Sequence, residues 1–180
     1  MDESTLIKKC LKGNPKAQKL LFDRYSSKML GVCLRYAKDT DQAYDFLQEG
    51  FIKVFTKLDK FKGDGSFEGW IRRIIVNTAL DQLRKEIKLK KNTSIDDMYL
   101  DVEQTLYQVD DFFEQDLLKL INEMPDGYRT VFNLFAIEGF SHKEIAQELN
   151  ISENTSKSQF SRARSYLKNK LEELGIEREG

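Results

Sequence analysis

The sequence predicts an all-α protein with two small helical domains joined by a linker, the second domain containing a helix-turn-helix. Only two prolines and ten glycines interrupt its 180 residues. Long stretches are rich in Leu, Lys, Glu, Gln and Ala, which favour helices, and no run of β-branched residues alternates with polar ones as a half-buried strand would. The 40% hydrophobic content is enough for the core of one ordinary domain or of two small ones.

Charge divides the chain into three segments. The formal net charge of −1 argues at first against a nucleic-acid partner, because domains that bind nucleic acids are usually basic. Residues 1–91 nevertheless carry 20 basic and 12 acidic side chains, whereas residues 92–118 carry eight acidic side chains and no basic one. We therefore predict a first domain at residues 1–91, an acidic linker at 92–111 and a second domain at 112–180.

Apolar residues three or four positions apart predict helices in the first domain at residues 6–12, 15–37 and 41–58. The paired glycines of Lys62-Gly-Asp-Gly-Ser66 predict a loop, because glycine adopts backbone conformations that other residues resist. A fourth helix is predicted from Phe67 to about Ile87, and it ends in a basic run at residues 85–91.

The second domain is predicted to contain helices at residues 113–124, 127–138, 141–149 and 152–174. Ser141 and Glu144 have the spacing of a capping box, and Ser152 can cap the next helix after the short turn at residues 150–152. Two short helices joined by such a turn describe a helix-turn-helix.

The last predicted helix presents a face suited to the major groove of DNA. Helical spacing turns Ser156, Phe160, Ala163 and Leu167 inward, and it turns Lys157, Ser158, Ser161, Arg162 and Ser165 outward. Small hydroxyl side chains let a helix sit deep in the groove, while Lys and Arg reach base edges or phosphates. The alternative interpretation is a solvated face of an ordinary helical bundle.

The helix after the glycine loop carries a stripe of aromatic, basic, amide and acidic side chains. The stripe consists of Trp70, Arg73, Asn77, Asp81 and Arg84, and the opposite side consists of Ile71, Ile75, Ala79 and Leu83. Such groups can stack on an unpaired base and hydrogen-bond its edge, which favours single-stranded DNA as the ligand. A lone tryptophan near a helix start is alternatively part of the core.

A third surface is predicted on the helix at residues 41–58. Asp45, Gln48, Glu49 and Lys53 follow helical spacing there. A mixed-charge face beside aromatic residues suits protein docking, although a solvated face is the default interpretation.

Two stretches of the first domain closely resemble region 2 of extracytoplasmic-function sigma factors. They are Ala-Tyr-Asp-Phe-Leu-Gln-Glu-Gly-Phe-Ile-Lys-Val-Phe at residues 43–55 and the segment at 61–85. Met-Pro-Asp-Gly-Tyr-Arg-Thr-Val-Phe at 124–132, with residues 139–149 and 154–164, resembles region 4 of the same family. The resemblance covers most of the chain outside the linker and termini. It implies a sigma factor, which directs bacterial RNA polymerase to promoters and helps to melt them.

The resemblance also implies roles for individual residues. Asp45, Gln48, Glu49 and Phe51 would lie on the surface that binds the clamp helices of the polymerase β′ subunit. Lys62, Ser66, Trp70, Arg73, Asn77 and Asp81 would meet the melted −10 element, and Lys157, Ser158, Ser161 and Arg162 would read the −35 element. The acidic linker would pass through the polymerase, because an acidic strand can occupy a basic channel. The polymerase β subunit is a further expected partner.

Three residues depart from the family pattern. Gly50 stands where threonine or alanine is common, which lowers helix propensity there. Ser156 replaces a usual apolar residue on the inner face, where its small size would let the helix pack closer. Gln159 stands where arginine or lysine is frequent, so we expect one phosphate contact to be missing.

The sequence contains no pattern that indicates an enzyme. It lacks a phosphate-binding glycine-lysine motif, and we expect the sole histidine, His142, to have no nucleophilic partner. Cys10 and Cys33 lack metal-ligand spacing, so we expect buried reduced thiols, no metal and no cofactor. No segment approaches the roughly 20 apolar residues of a membrane span, and the N-terminus lacks the order of a signal peptide, so we expect a cytoplasmic protein without membrane insertion.

Two rival functions stay open on the sequence alone. One is a conventional helix-turn-helix regulator whose first domain senses a ligand or a protein, and the other is a helical adaptor that binds only proteins. Whether an anti-sigma factor is a further partner stays open as well.

Overall fold

The computed structural model describes residues 1–92, 117 and 119–175. Among these residues the regular structure is helical throughout and no strand occurs, which confirms the predicted all-α fold. The chain forms two compact units, Met1–Thr105 and Leu106–Gly180. Apart from Asn92, the predicted linker at 92–111 lies outside the described residues, so the domain boundaries stay a prediction. No described helix is long and apolar enough to cross a membrane.

Four α-helices and one 3₁₀ helix form the described part of the first unit. They are α1 at Glu3–Leu11, α2 at Pro15–Leu34, α3 at Thr40–Thr56, the 3₁₀ helix at Leu58–Lys60, and α4 at Phe67–Asn92. The side chains of Asp2, Asn14 and Asp39 accept hydrogen bonds from backbone N–H groups in the first turns of α1, α2 and α3. Because these caps satisfy otherwise unpaired donors, α1 begins earlier than the predicted start at residue 6.

The core of the first unit lies between α2, α3 and α4. Its fully buried side chains include Leu21, Met29, Val54, Ile71, Ile75 and Leu80. A Cβ atom added to Gly50 would overlap Cδ1 of Ile75, so α3 and α4 approach closely where the glycine stands. Gly50 therefore lowers the helix propensity of α3 but permits this close packing.

Helix α4 continues to Asn92, beyond the predicted end near Ile87. Residues 88–91 are Lys-Leu-Lys-Lys, all good helix formers, and neither glycine nor proline interrupts them. The whole basic run at residues 85–91 therefore belongs to the last part of α4.

The second unit contains helical residues 119–122, then α5 at Asp126–Phe132, a π-helical segment at Asn133–Ile137, α6 at His142–Leu149 and α7 at Glu153–Glu173. The predicted single α-helix at 127–138 is wrong in its second half. The N–H of Glu138 donates to the carbonyl of Asn133, five residues earlier, which is the spacing of a π turn. The periodic pattern missed this change because a π turn shifts the apolar positions by only one residue.

The core of the second unit lies between α7 and the helices before the π segment. It consists of Leu120, Ile121, Met124, Ala163 and Leu167, with Tyr128, Phe132, Tyr166 and Leu171 packed against it. Arg129 is buried beside this core and donates hydrogen bonds to the Asp126 carboxylate at 3.0 Å and the Asn122 carbonyl at 3.2 Å. Burial lowers the pKa of Arg129, and the Asp126 charge opposes that shift.

Candidate functional site

Helices α6 and α7 form the predicted helix-turn-helix. The Ser141 hydroxyl accepts a hydrogen bond from the Glu144 N–H at 3.2 Å, and the Glu144 carboxylate accepts one from the Ser141 N–H at 2.9 Å, which confirms the capping box. Asn150 in the turn has φ +53°, a left-handed conformation that asparagine tolerates. Ser152 caps α7 by accepting a hydrogen bond from the Thr155 N–H at 2.9 Å.

The outward face of α7 carries the side chains predicted for it. Lys157, Ser158, Ser161, Arg162 and Ser165 are exposed, whereas Ser156, Ala163 and Leu167 are buried and Phe160 is half-buried. Lys157 pairs with Glu153 at 2.8 Å, and Nη1 of Arg162 lies 3.5 Å from the Tyr128 hydroxyl. Exposed pairs of this kind are weak in water, so both cations can exchange these partners for an anionic ligand.

The start of α5 borders this outward face. Tyr128 contacts Arg162, and a Cβ atom added to Gly127 would lie 3.4 Å from Nε2 of Gln159. Gln159 is thus half-buried against the bare backbone of a glycine, which accounts for its place in the fold. Sequence reasoning missed Tyr128, because no periodic signal links residues 34 positions apart.

The inner face of α7 contains a polar contact that the sequence did not predict. Nδ1 of His142 lies 2.9 Å from the Ser156 hydroxyl, a contact between residues 14 positions apart. The imidazole also stacks on Phe135, with ring centroids 4.3 Å apart. Because Ser156 is 0% exposed, no substrate can reach its hydroxyl, and the pair is not a catalytic one.

Trp70 belongs to an aromatic cluster at the start of α4. Its ring centroid lies 5.5 Å from that of Phe61 and 5.7 Å from that of Phe67, on which it stacks. Trp70 is half-buried, so the core and surface interpretations each describe part of the side chain. Lys62, Ser66 and Arg73 are exposed, and the Ser66 hydroxyl accepts a hydrogen bond from the Gly69 N–H at 3.0 Å.

The stripe on α4 is less open further along the helix. Asn77 is half-buried, and its Oδ1 atom is buried without a hydrogen-bond partner among the described residues. Asp81 accepts hydrogen bonds from Arg84 at 2.6 Å and from Lys53 of α3 at 3.5 Å. Asp81 therefore already has partners inside the first unit.

The predicted docking surface on α3 is partly engaged with α4. Asp45 and Gln48 are exposed, but Glu49 forms an ion pair with Lys53 at 3.1 Å and accepts a hydrogen bond from Gln82. Burial by itself would raise the pKa of Glu49, but hydrogen bonds from Lys53 and Gln82 outweigh it and lower that pKa.

Phe51 does not lie on this surface, which corrects the prediction. Its side chain is 3% exposed, and its ring lies 4.7 Å from that of Phe22 in the core. Tyr44 and Ile52 are the exposed apolar residues beside Gln48, at 46% and 65% exposure. Each lies four residues from Gln48, so helical spacing places all three residues on one face. That spacing could have identified Tyr44 and Ile52 as part of the surface from the sequence.

The described residues contain no cluster of His, Cys, Asp or Glu that could hold a metal ion. Cys10 and Cys33 are buried free thiols, as predicted. Burial raises the pKa of Cys33 to about 12, so its thiol is protonated and unreactive at neutral pH.

Two sections of the chain match known protein families. Residues 21–88 match Sigma-70 region 2, and residues 114–167 match Sigma-70, region 4. The chain is also 30% identical over 185 residues to the ECF RNA polymerase sigma-E factor of Haemophilus influenzae, with 97% of each chain covered. The chain belongs to the ECF sigma-70 family. This sigma factor acts in promoter recognition and transcription initiation by RNA polymerase.

Other relatives agree with this family. The sigma factor is 28% identical over 183 residues to the RNA polymerase sigma-H factor of Pseudomonas aeruginosa, with 96% of this chain and 95% of that protein covered. Its fold resembles the sigma factor RpoE of Bartonella quintana in complex with the anti-sigma factor NepR, with a TM-score of 0.56, 24% identity, and 89% and 98% of the two chains covered. It also resembles CnrH in complex with the cytosolic domain of CnrY, with a TM-score of 0.50, 23% identity, and 93% and 96% covered.

Proposed function

We propose that the two units of this sigma factor divide the recognition of a promoter. The second unit binds the −35 element as duplex DNA, and the first unit captures unpaired bases of the −10 element. The observation that carries this proposal is the outward face of α7, where exposed cations and small hydroxyls lie over a buried inner face. Binding energy alone melts the promoter, so the chain needs no catalytic residue and no cofactor, and it works in the cytoplasm with core polymerase.

At the −35 element, α7 enters the major groove. Ser158 and Ser161 are small enough to let the helix approach the bases, while Lys157 and Arg162 reach base edges or phosphates. Tyr128 supports this role because its hydroxyl can hold the Arg162 guanidinium over the groove. The adjacent Gln159 packs toward Gly127 and leaves the phosphate contacts to the neighbouring cations.

At the −10 element, the exposed part of Trp70 offers a surface on which an unstacked base can stack. Lys62 and Arg73 are exposed near it and supply charge for the phosphates. Ser66 contributes mainly as the cap of α4, because its hydroxyl already accepts the Gly69 N–H. Asn77 and Asp81 lie further along the same stripe, where the NH₂ group of Asn77 and the Asp81 carboxylate can contact base edges, whereas Oδ1 of Asn77 is buried.

Core polymerase binds the exposed face of α3. Asp45 and Gln48 supply the polar contacts, and Tyr44 and Ile52 add apolar area that a partner can cover. The Glu49 carboxylate also contributes to binding, although it is already paired with Lys53 and accepts a hydrogen bond from Gln82. Phe51 supports the surface from inside by packing α3 onto α2.

We also propose that a protein partner holds the chain inactive. The support is indirect: the two similar solved structures are complexes, one with the anti-sigma factor NepR and one with the cytosolic domain of CnrY. Affinity capture of the tagged chain from its host, with core polymerase subunits as the internal positive control, would recover a second protein that competes with core. Recovery of core alone under all growth conditions would contradict this part.

Charge reversal on α7 tests whether the second unit binds the −35 element independently of core binding by α3. Lys157→Glu and Arg162→Glu together should abolish −35-dependent transcription while core binding is retained, because the reversed charges repel phosphates without touching α3. Lys168→Glu is the matched control, since Lys168 is an exposed cation further along the same helix. Unchanged transcription from −35-dependent promoters in the double variant would refute the proposed role of the second unit.

A further inference from the structure

His142 is the sole histidine of the chain, and its ring is held in one orientation. Nδ1 lies 2.9 Å from the Ser156 hydroxyl of α7. The ring stacks on Phe135 of the π-helical segment at 4.3 Å and meets Phe160 of α7 edge-on at 5.8 Å. Contacts on its face, edge and one nitrogen leave the imidazole little freedom to rotate.

The second ring nitrogen is not used by the fold. Nε2 of His142 has no hydrogen-bond partner among the described residues and is not one of the buried unpaired atoms there. The side chain as a whole is half-exposed. With Nδ1 directed at a buried hydroxyl, Nε2 is the ring nitrogen that an external group can reach.

The surroundings of His142 favour an anion. Lys143 is exposed next to it on α6, and Lys157 is exposed in the second turn of α7. Glu153 at the start of α7 is an ionised carboxylate, but it forms an ion pair with Lys157 at 2.8 Å that offsets its charge, so Lys143 supplies the excess positive charge beside His142. The Glu144 carboxylate is occupied by the capping box, and the π-helical segment contributes no charged side chain.

From this geometry we infer that His142 contacts a DNA phosphate beside the −35 element through Nε2. The inference rests on the proposed function of the second unit. In a helix-turn-helix the first helix crosses the DNA backbone while the second enters the groove, and His142 is the first residue of that first helix. Because Nδ1 is engaged with the Ser156 hydroxyl, Nε2 is the ring nitrogen left to donate a hydrogen bond to the phosphate.

The test uses the holoenzyme reconstituted from core polymerase and the full chain, bound to a promoter fragment identified by transcript-start mapping. His142→Asn keeps a polar atom near the position of Nδ1 for Ser156 but has nothing at the position of Nε2. We expect about tenfold weaker binding, the effect of one charge-assisted hydrogen bond, and a salt slope smaller by about one unit. Lys168→Ala, which removes an exposed cation further along α7, should match the parent in both measurements.

Thermal unfolding of each variant separates contact from folding. If His142→Asn shifts only the melting temperature and keeps the parental promoter affinity and salt slope, His142 is purely structural and the inference is overturned. If His142→Asn behaves as expected, the inference stands. If Lys157→Glu with Arg162→Glu leaves −35 binding unchanged, the proposed function itself fails, an outcome that the His142 variant alone does not produce.

Discussion

Gly50 shows how one residue sets the distance between two helices. A Cβ atom there would overlap Cδ1 of Ile75, which is fully buried and has little room to move. Gly50→Ala should gain about 1 kcal/mol of helix propensity but lose about 1–3 kcal/mol to overpacking. We expect a net loss of stability in urea unfolding.

Two further variants sharpen this prediction. Gly31→Ala in α2 is the control, because nothing lies within 4 Å of its added Cβ, and it should be neutral or stabilising. Ile75→Val removes Cδ1, so the pair Gly50→Ala with Ile75→Val should be less destabilised than the sum of its parts. Equal stabilisation by both glycine replacements would show that the overlap has no energetic effect.

Asn77 offers a clean residue-scale test at the −10 element. Because its Oδ1 has no partner among the described residues, Asn77→Ala removes no hydrogen bond at that atom. We therefore expect the substitution to change −10 base preference more than core affinity, as measured by transcription from a set of −10 variants. Equal preference across that set, in variant and parent alike, would refute the placement of Asn77 at the unpaired bases.

Individual residues were also where sequence reasoning failed. The family resemblance implies a surface position for Phe51, but helical spacing turns its ring inward onto Phe22. The contact of His142 with Ser156 joins residues 14 positions apart, and only the folded chain determines that distance. By contrast, the capping box and the exposed side of α7 depend on local spacing alone, so both could be predicted.

At the scale of elements, α3 and α4 are joined by a charged network. Lys53 of α3 lies 3.1 Å from Glu49 and 3.5 Å from Asp81 of α4. The pKa of Glu49 is lowered from 4.5, so its pairing contributes stability above that pH and loses it as the pH falls through the lowered value. The network is partly exposed, so Lys53→Ala should cost less than about 1 kcal/mol near pH 7 and less still near pH 3.

Urea unfolding at the two pH values checks this prediction. Lys57→Ala is the control, because Lys57 is an exposed cation just after α3 and forms no ion pair within the part of the chain that the structure describes. Its substitution should leave the pH dependence unchanged. A Lys53 variant that is equally destabilised at both pH values would show that Lys53 does not stabilise the ionised Glu49 carboxylate.

The exposed face of α3 permits a separate test of polymerase docking. Gln48→Ala and Ile52→Ala should each weaken core binding without affecting stability, because both side chains are exposed. Leu20→Ala on α2 is a matched control, as Leu20 is an exposed apolar residue at 39%. Core affinity measured with labelled chain should fall for the α3 variants only, and equal affinity in all three would exclude this face.

Helix positions could be predicted at this scale where caps and breakers mark them. Asp39 and Ser152 begin α3 and α7 close to the expected residues. The π-helical segment at Asn133–Ile137 could not be predicted, because its composition suits an α-helix equally well. That segment presents Phe135 to His142, so the missed element is also the one that supports the unexpected contact.

For the whole molecule, the order of elements was more informative than composition. The net charge of −1 gave no indication of a DNA partner, because an acidic stretch at residues 92–118 offsets a basic first segment. A helix-turn-helix alone is equally compatible with a conventional regulator. The family matches at residues 21–88 and 114–167 exclude a conventional regulator, because regions 2 and 4 of a sigma factor both occur in this chain.

Reconstituted transcription tests the central claim most directly. Core RNA polymerase lacking any sigma factor is combined with the purified chain and with promoter DNA taken from start sites mapped after forced expression. The account predicts transcripts that begin at the mapped sites, require the chain, and need no nucleotide beyond the substrates of RNA synthesis. A chain that binds the promoter duplex tightly by itself, and adds no specific transcript when core is present, would contradict it.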